Sequence, residues 1–305
     1  MQETSSKTNI FTVDTWDSYI GQEKVKDRLR IRIHAAMARY EQLDHCLILG
    51  QSGTGKTTIA RLIAKEHNVG FRDVMIVPGF SLPALEKILL EFDEDGGGIC
   101  FLDEIHNLNE KEQHFLYSVL QDGCISRKNG TKIYFDNTIT IVAATTDEKD
   151  LTAALRGRFG SPYRLKDYTD KEMGQIVEHM AHKAGLNPTL EQCLALGRAS
   201  AGSPRQAADL IKTARDLKTL DIEPILELAE ITKDGLTVDH IAILESIRSL
   251  GNTAGVASIS NHSGRATEDI LKLERLLVKK RLIELGGRGR TLTNKALKVL
   301  KEVEK

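Results

Sequence analysis

Aromatic side chains are scarce in this chain: 8 Phe, 6 Tyr and a single Trp among 305 residues. Its cores must therefore be aliphatic and largely helical, and with 41 % hydrophobic residues there is enough material to build them. Cysteine is also sparse. Cys46, Cys100, Cys124 and Cys193 stand too far apart for a C-x-x-C metal or redox pair. Each lies in an apolar or helical stretch, the pattern of buried thiols in a reducing compartment. No apolar run approaches roughly 18 residues, so no segment reads as a membrane span. The opening MQETSSKTNIF lacks the charged start and apolar core of a signal peptide, and the expected location is cytoplasmic. Neither sign of charge dominates: 42 Lys+Arg face 43 Asp+Glu, a net charge of −1. That excludes a uniformly basic nucleic-acid binder, so any such site must be local. Repeats and low-complexity tracts are absent as well.

What is present falls into three textures, as the length allows. After a polar segment, expected to be flexible over 1–15, helices alternate with short buried strands over 16–168. Val25, Leu29, Ile33, Ala36 and Met37 recur at helical spacing. Strands are expected at 46–50, 74–77, 96–104 and 138–143, and helices at 57–67, 81–92 and 110–121. An Asn-Gly turn inside Arg127-Lys128-Asn129-Gly130 joins two β-prone runs, 124–126 and 132–135, into a hairpin. From 169 to 235 the pattern is helical throughout. Three capping boxes open helices there: Thr169 with Glu172, Thr189 with Gln192, and Ser203 with Gln206, the last carrying Pro204 at its first position. From 236 to 305 three helices and two strands around a Gly-rich turn read as a winged helix with a two-stranded wing.

The chemistry concentrates at strand ends. Gly50-Gln51-Ser52-Gly53-Thr54-Gly55-Lys56-Thr57 fits G-x-x-x-x-G-K-[ST], with a strand before it and a helix after. The glycines let backbone N–H groups face phosphate, Lys56 reaches the β- and γ-phosphates, and the Thr57 hydroxyl suits Mg²⁺. Thr54 and Thr58 complete this ATP-binding set. Asp103 and Glu104 end the apolar run Ile99-Cys100-Phe101-Leu102. The first acid suits the magnesium shell and the second can polarise a water for attack on the γ-phosphate. A lone DE pair would be an ordinary solvated turn; behind a P-loop at this separation it is a second half of one site. Thr145 and Thr146 end the next strand, where a hydroxyl can hold that water. Arg156 and Arg158 follow in LRGRFG, where a guanidinium from a neighbouring subunit could stabilise the transferring phosphoryl group. Arg205 opens a helix in GSPR, an anion-favouring position. Taken singly, each of these is equally an ordinary surface residue or cap.

P-loop, DEIH at 103–106, AATT at 143–146, LRGRFG and GSPR stand in AAA+ order, and together they resemble the RuvB family of Holliday-junction branch-migration ATPases. YIGQ at 19–22, LDH at 43–45, LY at 116–117, RFG at 158–160 and RGR at 288–290 are similar to that family too. The resemblance spans about 16–300. It implies an α/β AAA+ P-loop domain with a parallel sheet sandwiched by helices (16–168), an all-α lid (169–235) and a winged-helix DNA-binding domain (236–305). It also implies that Ile20 and Tyr168 lie by the adenine, Thr146 is the first sensor, Arg205 the second, and Arg158 the finger offered to the next subunit of a hexameric ring. Arg288 and Arg290 in the wing, with Arg281, would touch DNA phosphate. The hairpin over 124–135 would dock a RuvA-like junction-binding partner, but here it is short and tipped by Arg127-Lys128 rather than apolar residues, a tip equally suited to DNA. An expected Arg-Pro near Thr12-Val13 is missing, and Asp147 stands where Arg is expected. Such departures fit a divergent member, such as one carried by a phage or mobile element.

Residues 262–305 carry 12 Lys+Arg against 6 Asp+Glu, about +6 in a chain of net −1. Sequence-independent phosphate contact is what a travelling motor needs. The leading expectation is an ATP-driven DNA motor acting in recombination and repair. A loader that uses ATP to place a partner on DNA is the alternative; its kind ends in a helical collar. A protein remodeller would want an aromatic pore loop, for which only Phe80 offers itself.

Overall fold

The computed structural model describes residues 12–127 and 130–303. The tips of the hairpin (Lys128, Asn129) and most of the segment expected to be flexible (1–11) lie outside the described residues. The chain divides into two compact units between Glu172 and Met173.

The first unit runs α1 (Glu23–Arg39), β1 (Cys46–Leu49), α2 (Lys56–His67), β2 (Phe71–Met75), α3 (Leu82–Glu94), β3 (Gly98–Asp103), α4 (Glu110–Asp122), β4 (Cys124–Ser126), β5 (Lys132–Tyr134), β6 (Ile139–Thr145), α5 (Ala153–Arg158) and β7 (Tyr163–Arg164). Five strands form one parallel sheet in the order β2-β3-β6-β1-β7. Its three central strands are buried at every residue, because helices cover both faces. Alternate residues feed two cores. Leu47, Cys100, Leu102, Ile141 and Ala143 meet α3 and α4, while Ile48, Ile99, Phe101, Val142 and Ala144 meet α1 and α2. The β4–β5 hairpin stands apart as a two-stranded sheet.

Strand β2 sits three residues earlier than the apolar run at 74–77 suggests. It is an edge strand, so it tolerates Arg72 and Asp73, which pair with Asp95 (2.5 Å) and Arg61 (2.7 Å). The short α5 and the two-residue β7 carry no periodicity long enough to read in advance. At the other end of β3, Gly98 has φ +120°, and a Cβ there would run into the Gly70 carbonyl, so the Gly-rich turn is a close-approach device.

The LDH segment before β1 also has a visible job. Leu43 is core, and the His45 ring accepts a hydrogen bond from Ile141 N at 3.0 Å. Burial pulls the His45 pKa from 6.5 down to about 4. Between those values the unfolded chain binds a proton that the folded chain refuses, so stability falls as pH falls through this window. The loss from this one group is about 3 kcal/mol at the acid end, and nothing is lost above pH 6.5. Urea unfolding at a series of pH values should record that slope. His45→Asn, which can still accept from Ile141 N but does not titrate, should flatten it; an unchanged slope would assign the acid sensitivity elsewhere.

The second unit holds α6 (Asp170–Lys183), which crosses the division, then α7 (Leu190–Ala199), α8 (Pro204–Leu217), α9 (Ile222–Leu228), α10 (Val238–Ser249), β8 (Thr253–Ala254), α11 (Val256–Ser263), α12 (Thr267–Lys279), β9 (Ile283–Gly286), β10 (Gly289–Leu292) and α13 (Asn294–Val303). The boxes at Thr169 and Thr189 form with both bonds, from 2.7 to 3.3 Å. The Ser203 box is only half formed: Gln206 N donates to Ser203 Oγ, but the Gln206 amide turns back to the Ala199 carbonyl (3.0 Å). The wing is three-stranded, not two-stranded, because Thr253 and Ala254 add β8 to the free edge of β10. The helices of 169–235 run on into the winged helix without a gap. An Ile231–Thr237 bridge and Gly235, whose φ is +80° and where a Cβ would run into the Ala199 carbonyl, pin the connection.

Candidate functional site

The C-terminal ends of β1, β3 and β6 lie side by side, where ligands bind in open α/β sheets. The loop after β1 is the P-loop. Gly55, its last residue before α2, has φ +94°, and a Cβ there would strike the Tyr19 hydroxyl. Lys56 is 5 % exposed, and its ammonium donates to the Gly50 and Gln51 carbonyls at 3.0 and 3.3 Å. Thr54 is buried, Gly53, Thr57 and Thr58 are half-buried, and the Thr54 hydroxyl closes the loop on Gln51 O (2.8 Å).

Two phenols support this loop from behind. Tyr19 and Tyr168 both reach the Thr54 carbonyl, at 3.0 and 3.1 Å, and lie 3.3 Å from each other. Burial raises both phenols above their ordinary pKa, which keeps them as neutral donors. The Gln22 side chain exchanges two bonds with the Lys166 backbone (2.6 and 2.9 Å). The YIGQ turn, with half-buried Ile20, is thereby stapled to the segment that carries Tyr168.

Opposite the P-loop, β3 delivers the acids. Asp103 is 9 % exposed; burial raises its carboxyl above the ordinary value, against the pull of the Lys56 ammonium. Its Oδ1 accepts from Glu104 N at 2.9 Å. Glu104 itself sits at φ +54°, a left-handed conformation that a glutamate adopts only when its surroundings enforce it. Its Oε1 lies 3.9 Å from Lys56 Nζ, and its Oε2 lies 3.4 Å from Thr146 Oγ1 and 3.2 Å from His106 Nδ1. The sequence expectations for Lys56, Asp103, Glu104 and Thr146 thus meet at the C-terminal end of the sheet. His106 belongs to the same cluster, and Tyr19 supports the P-loop behind it, without either having been singled out. Their letters stand in DEIH and YIGQ, but nothing in the local pattern says what they touch.

The arginines separate. Arg158 is exposed at the end of α5, and its guanidinium lies 4.6 Å over the Tyr117 ring and 2.5 Å from its hydroxyl. Arg156 is half-buried. Arg205, in the second unit, is exposed in the first turn of α8. Arg288 is exposed at the wing tip and Arg281 is exposed at the foot of the wing. Arg290 corrects the expectation that RGR offers two guanidiniums to DNA. It turns inward and pairs with both oxygens of Glu274 on α12, at 2.7 and 3.1 Å, because it shares a strand face with the buried Leu292 two residues on, whereas Arg288 precedes the strand. Arg127 is similarly engaged, pairing with Glu86 of α3 at 2.7 Å, so it is no free cation at the hairpin tip. Lys128 lies outside the described residues. Among the described residues no cluster of three or more metal-ligating side chains occurs, and no helix is long and apolar enough to cross a membrane.

A family model for the Holliday junction DNA helicase RuvB P-loop domain matches residues 12–165, and one for the RuvB C-terminal winged helix domain matches 233–301. This chain belongs to the RuvB family. Two curated relatives are each a Holliday junction branch migration complex subunit RuvB. That of Fervidobacterium nodosum is 33 % identical, over 92 % of this chain and 86 % of the relative. That of Campylobacter fetus is 34 % identical, over 93 % and 87 %. The solved Thermotoga maritima RuvB Holliday junction branch migration motor superposes with a TM-score of 0.82 at 29 % identity, covering 96 % of this chain and 98 % of that one. The chain is therefore a RuvB-family P-loop ATPase with a C-terminal winged helix.

Proposed function

We propose that this chain is an ATP-driven DNA motor that works as a hexameric ring and moves Holliday junctions, the activity for which its relatives are named. The observation that carries this is the convergence of Lys56, Asp103, Glu104 and Thr146 at the C-terminal end of the sheet, in a chain that also ends in a RuvB winged helix. In this reading the P-loop amides and Lys56 hold the β- and γ-phosphates of ATP, and Ile20 and Tyr168 flank the adenine. Thr146 holds the attacking water and Glu104 takes its proton. Arg158 reaches the ATP of the next subunit, and Arg205 is assigned the second-sensor role on the family resemblance.

Thr57 and Asp103 would hold Mg²⁺. A hydroxyl and a carboxylate are hard oxygen donors, and two protein ligands suffice where waters and phosphates supply the rest. The ion would neutralise charge on the phosphate oxygens.

The match of residues 233–301 to a RuvB winged-helix domain favours the motor over the loader reading. A RuvA-like partner on the β4–β5 hairpin is compatible with Tyr134, an aromatic 65 % exposed on β5.

The wing supplies a test. Arg288 is proposed as the phosphate contact and Arg290 as an internal brace. Arg288→Ala should weaken duplex and four-way-junction binding alike and lower the salt slope by about 1. Arg290→Ala, which strands Glu274 at 11 % side-chain exposure, should instead lower unfolding stability by about 3 kcal/mol. Filter binding over a salt series, run beside thermal melts and an ATP-dependent junction-migration assay, separates the two. Unchanged binding and migration in a folded Arg288→Ala protein would remove the wing from the DNA site.

A further inference from the structure

The assignment of Glu104 as the water-activating acid leaves open what aims it. Its carboxylate hangs on a backbone in the left-handed region, at the start of a single turn, Ile105–Asn107. A glutamate so placed has three side-chain torsions to fix. One oxygen faces Lys56, but at 3.9 Å that is beyond hydrogen-bonding distance. The other oxygen has His106 Nδ1 at 3.2 Å, closer than Thr146 Oγ1 at 3.4 Å. His106 in turn lies 2.9 Å from the hydroxyl of Thr145, a residue with no exposure at the end of β6.

The donor directions of this cluster can be worked out. An ionised carboxylate only accepts, so the nitrogen that faces Glu104 must carry the proton. The Thr145 hydroxyl accepts from Asp147 N (3.0 Å) and has the Asp147 carbonyl within reach for its own proton (3.2 Å). It is therefore free to accept from His106 as well. The Nδ1–H is directed at the Thr145 hydroxyl, which the sensor strand holds rigidly, and Glu104 Oε2 lies beside the same nitrogen at 3.2 Å.

We infer that His106 is a positioning residue for ATP hydrolysis: it ties the Glu104 carboxylate to the end of β6 and so sets the acid and Thr146 in one fixed arrangement. This rests on the proposed role of Glu104. It gives the histidine of DEIH a task that requires a donor at the Nδ1 position, which neither bulk nor charge alone can supply.

The test is steady-state hydrolysis by the full-length protein, with ADP affinity by calorimetry and melting temperature measured in parallel. His106→Ala should lower kcat roughly 10- to 100-fold, the range typical of groups that orient a catalytic ligand, with KM and ADP affinity unchanged. His106→Asn, whose amide nitrogen can occupy the Nδ1 position, should recover most of the loss. His106→Gln, whose amide reaches to the Nε2 position instead, should recover little. His106→Ala combined with Thr145→Val should be less than additive, because both break one chain of bonds. Equal kcat in the Asn and Gln variants, or a loss that follows only the melting temperature, would overturn the inference, and that comparison stands even if the Ala variant does not fold. Glu104→Gln in the same assay keeps the two claims apart. An inactive Glu104→Gln beside a normal His106→Ala retires His106 alone; an active Glu104→Gln removes the acid on which both depend.

Discussion

Glu104→Gln is expected to bind ATP about as well as the unaltered chain and to hydrolyse it roughly 10²–10⁴-fold more slowly, the range for removing a positioned general base. The substitution is nearly isosteric. A glutamine can still face Thr146 with its carbonyl oxygen, and the P-loop bonds from Lys56 to the Gly50 and Gln51 carbonyls do not involve it. What it lacks is a basic oxygen for the proton of the attacking water. Nucleotide affinity and turnover therefore have to part company. A single-turnover measurement with radiolabelled ATP reads the chemical step directly, and equilibrium binding reads affinity. A normal chemical rate would show that another group accepts the proton. A joint loss of binding and turnover would mean that the Lys56–Glu104 proximity at 3.9 Å supports the loop rather than the reaction.

A still larger effect is expected of Arg158→Ala: a fall in kcat of about 10³–10⁵-fold, the contribution typical of an arginine finger, with ATP binding retained. Within its own chain Arg158 meets Tyr117, stacked at 4.6 Å and hydrogen-bonded at 2.5 Å, and it is solvent-exposed. A guanidinium held by an aromatic face and one hydroxyl is stiffened without being neutralised, as a group presented to another subunit should be. Mixing supplies the decisive measurement. Lys56→Ala subunits keep a finger but lose the phosphate grip; Arg158→Ala subunits keep the grip but lose the finger. In mixed rings some interfaces unite an intact P-loop with an intact finger, so part of the activity should return. If mixed assembly is confirmed and no ratio restores hydrolysis, the site is not shared between subunits and Arg158 acts within its own chain.

The site was legible where chemistry depends on residues close in sequence. The P-loop needs glycines, a lysine and a hydroxyl within eight positions, and the acids of β3 follow an uninterrupted apolar run, so both could be read with the strands around them. The engagement of Arg290 could not be read in advance. RGR on a Gly-rich turn is a local pattern, while its partner Glu274 lies sixteen residues earlier on a helix. His106, Tyr19 and Tyr117 stood only as letters of DEIH, YIGQ and LY, because their contacts with Thr145, Thr54 and Arg158 span 39, 35 and 41 residues respectively. Edge elements such as β7 and β8 escaped because a two-residue strand has no periodicity to detect.

By itself, then, the sequence determined the alternation of strands and helices, the helical stretch after it, the winged helix, and where the phosphate-binding and acidic motifs lie, while the parallel sheet was implied by the family resemblance. Hydrophobic periodicity and the fixed geometry of a Gly-rich turn are short-range constraints that leave their mark in adjacent residues. Only the tertiary structure decided which arginines face solvent and which are braced, which phenols support the P-loop, and what holds Glu104. Those outcomes depend on distances between chain segments that the fold alone brings within about 3 Å, the range over which a hydrogen bond acts.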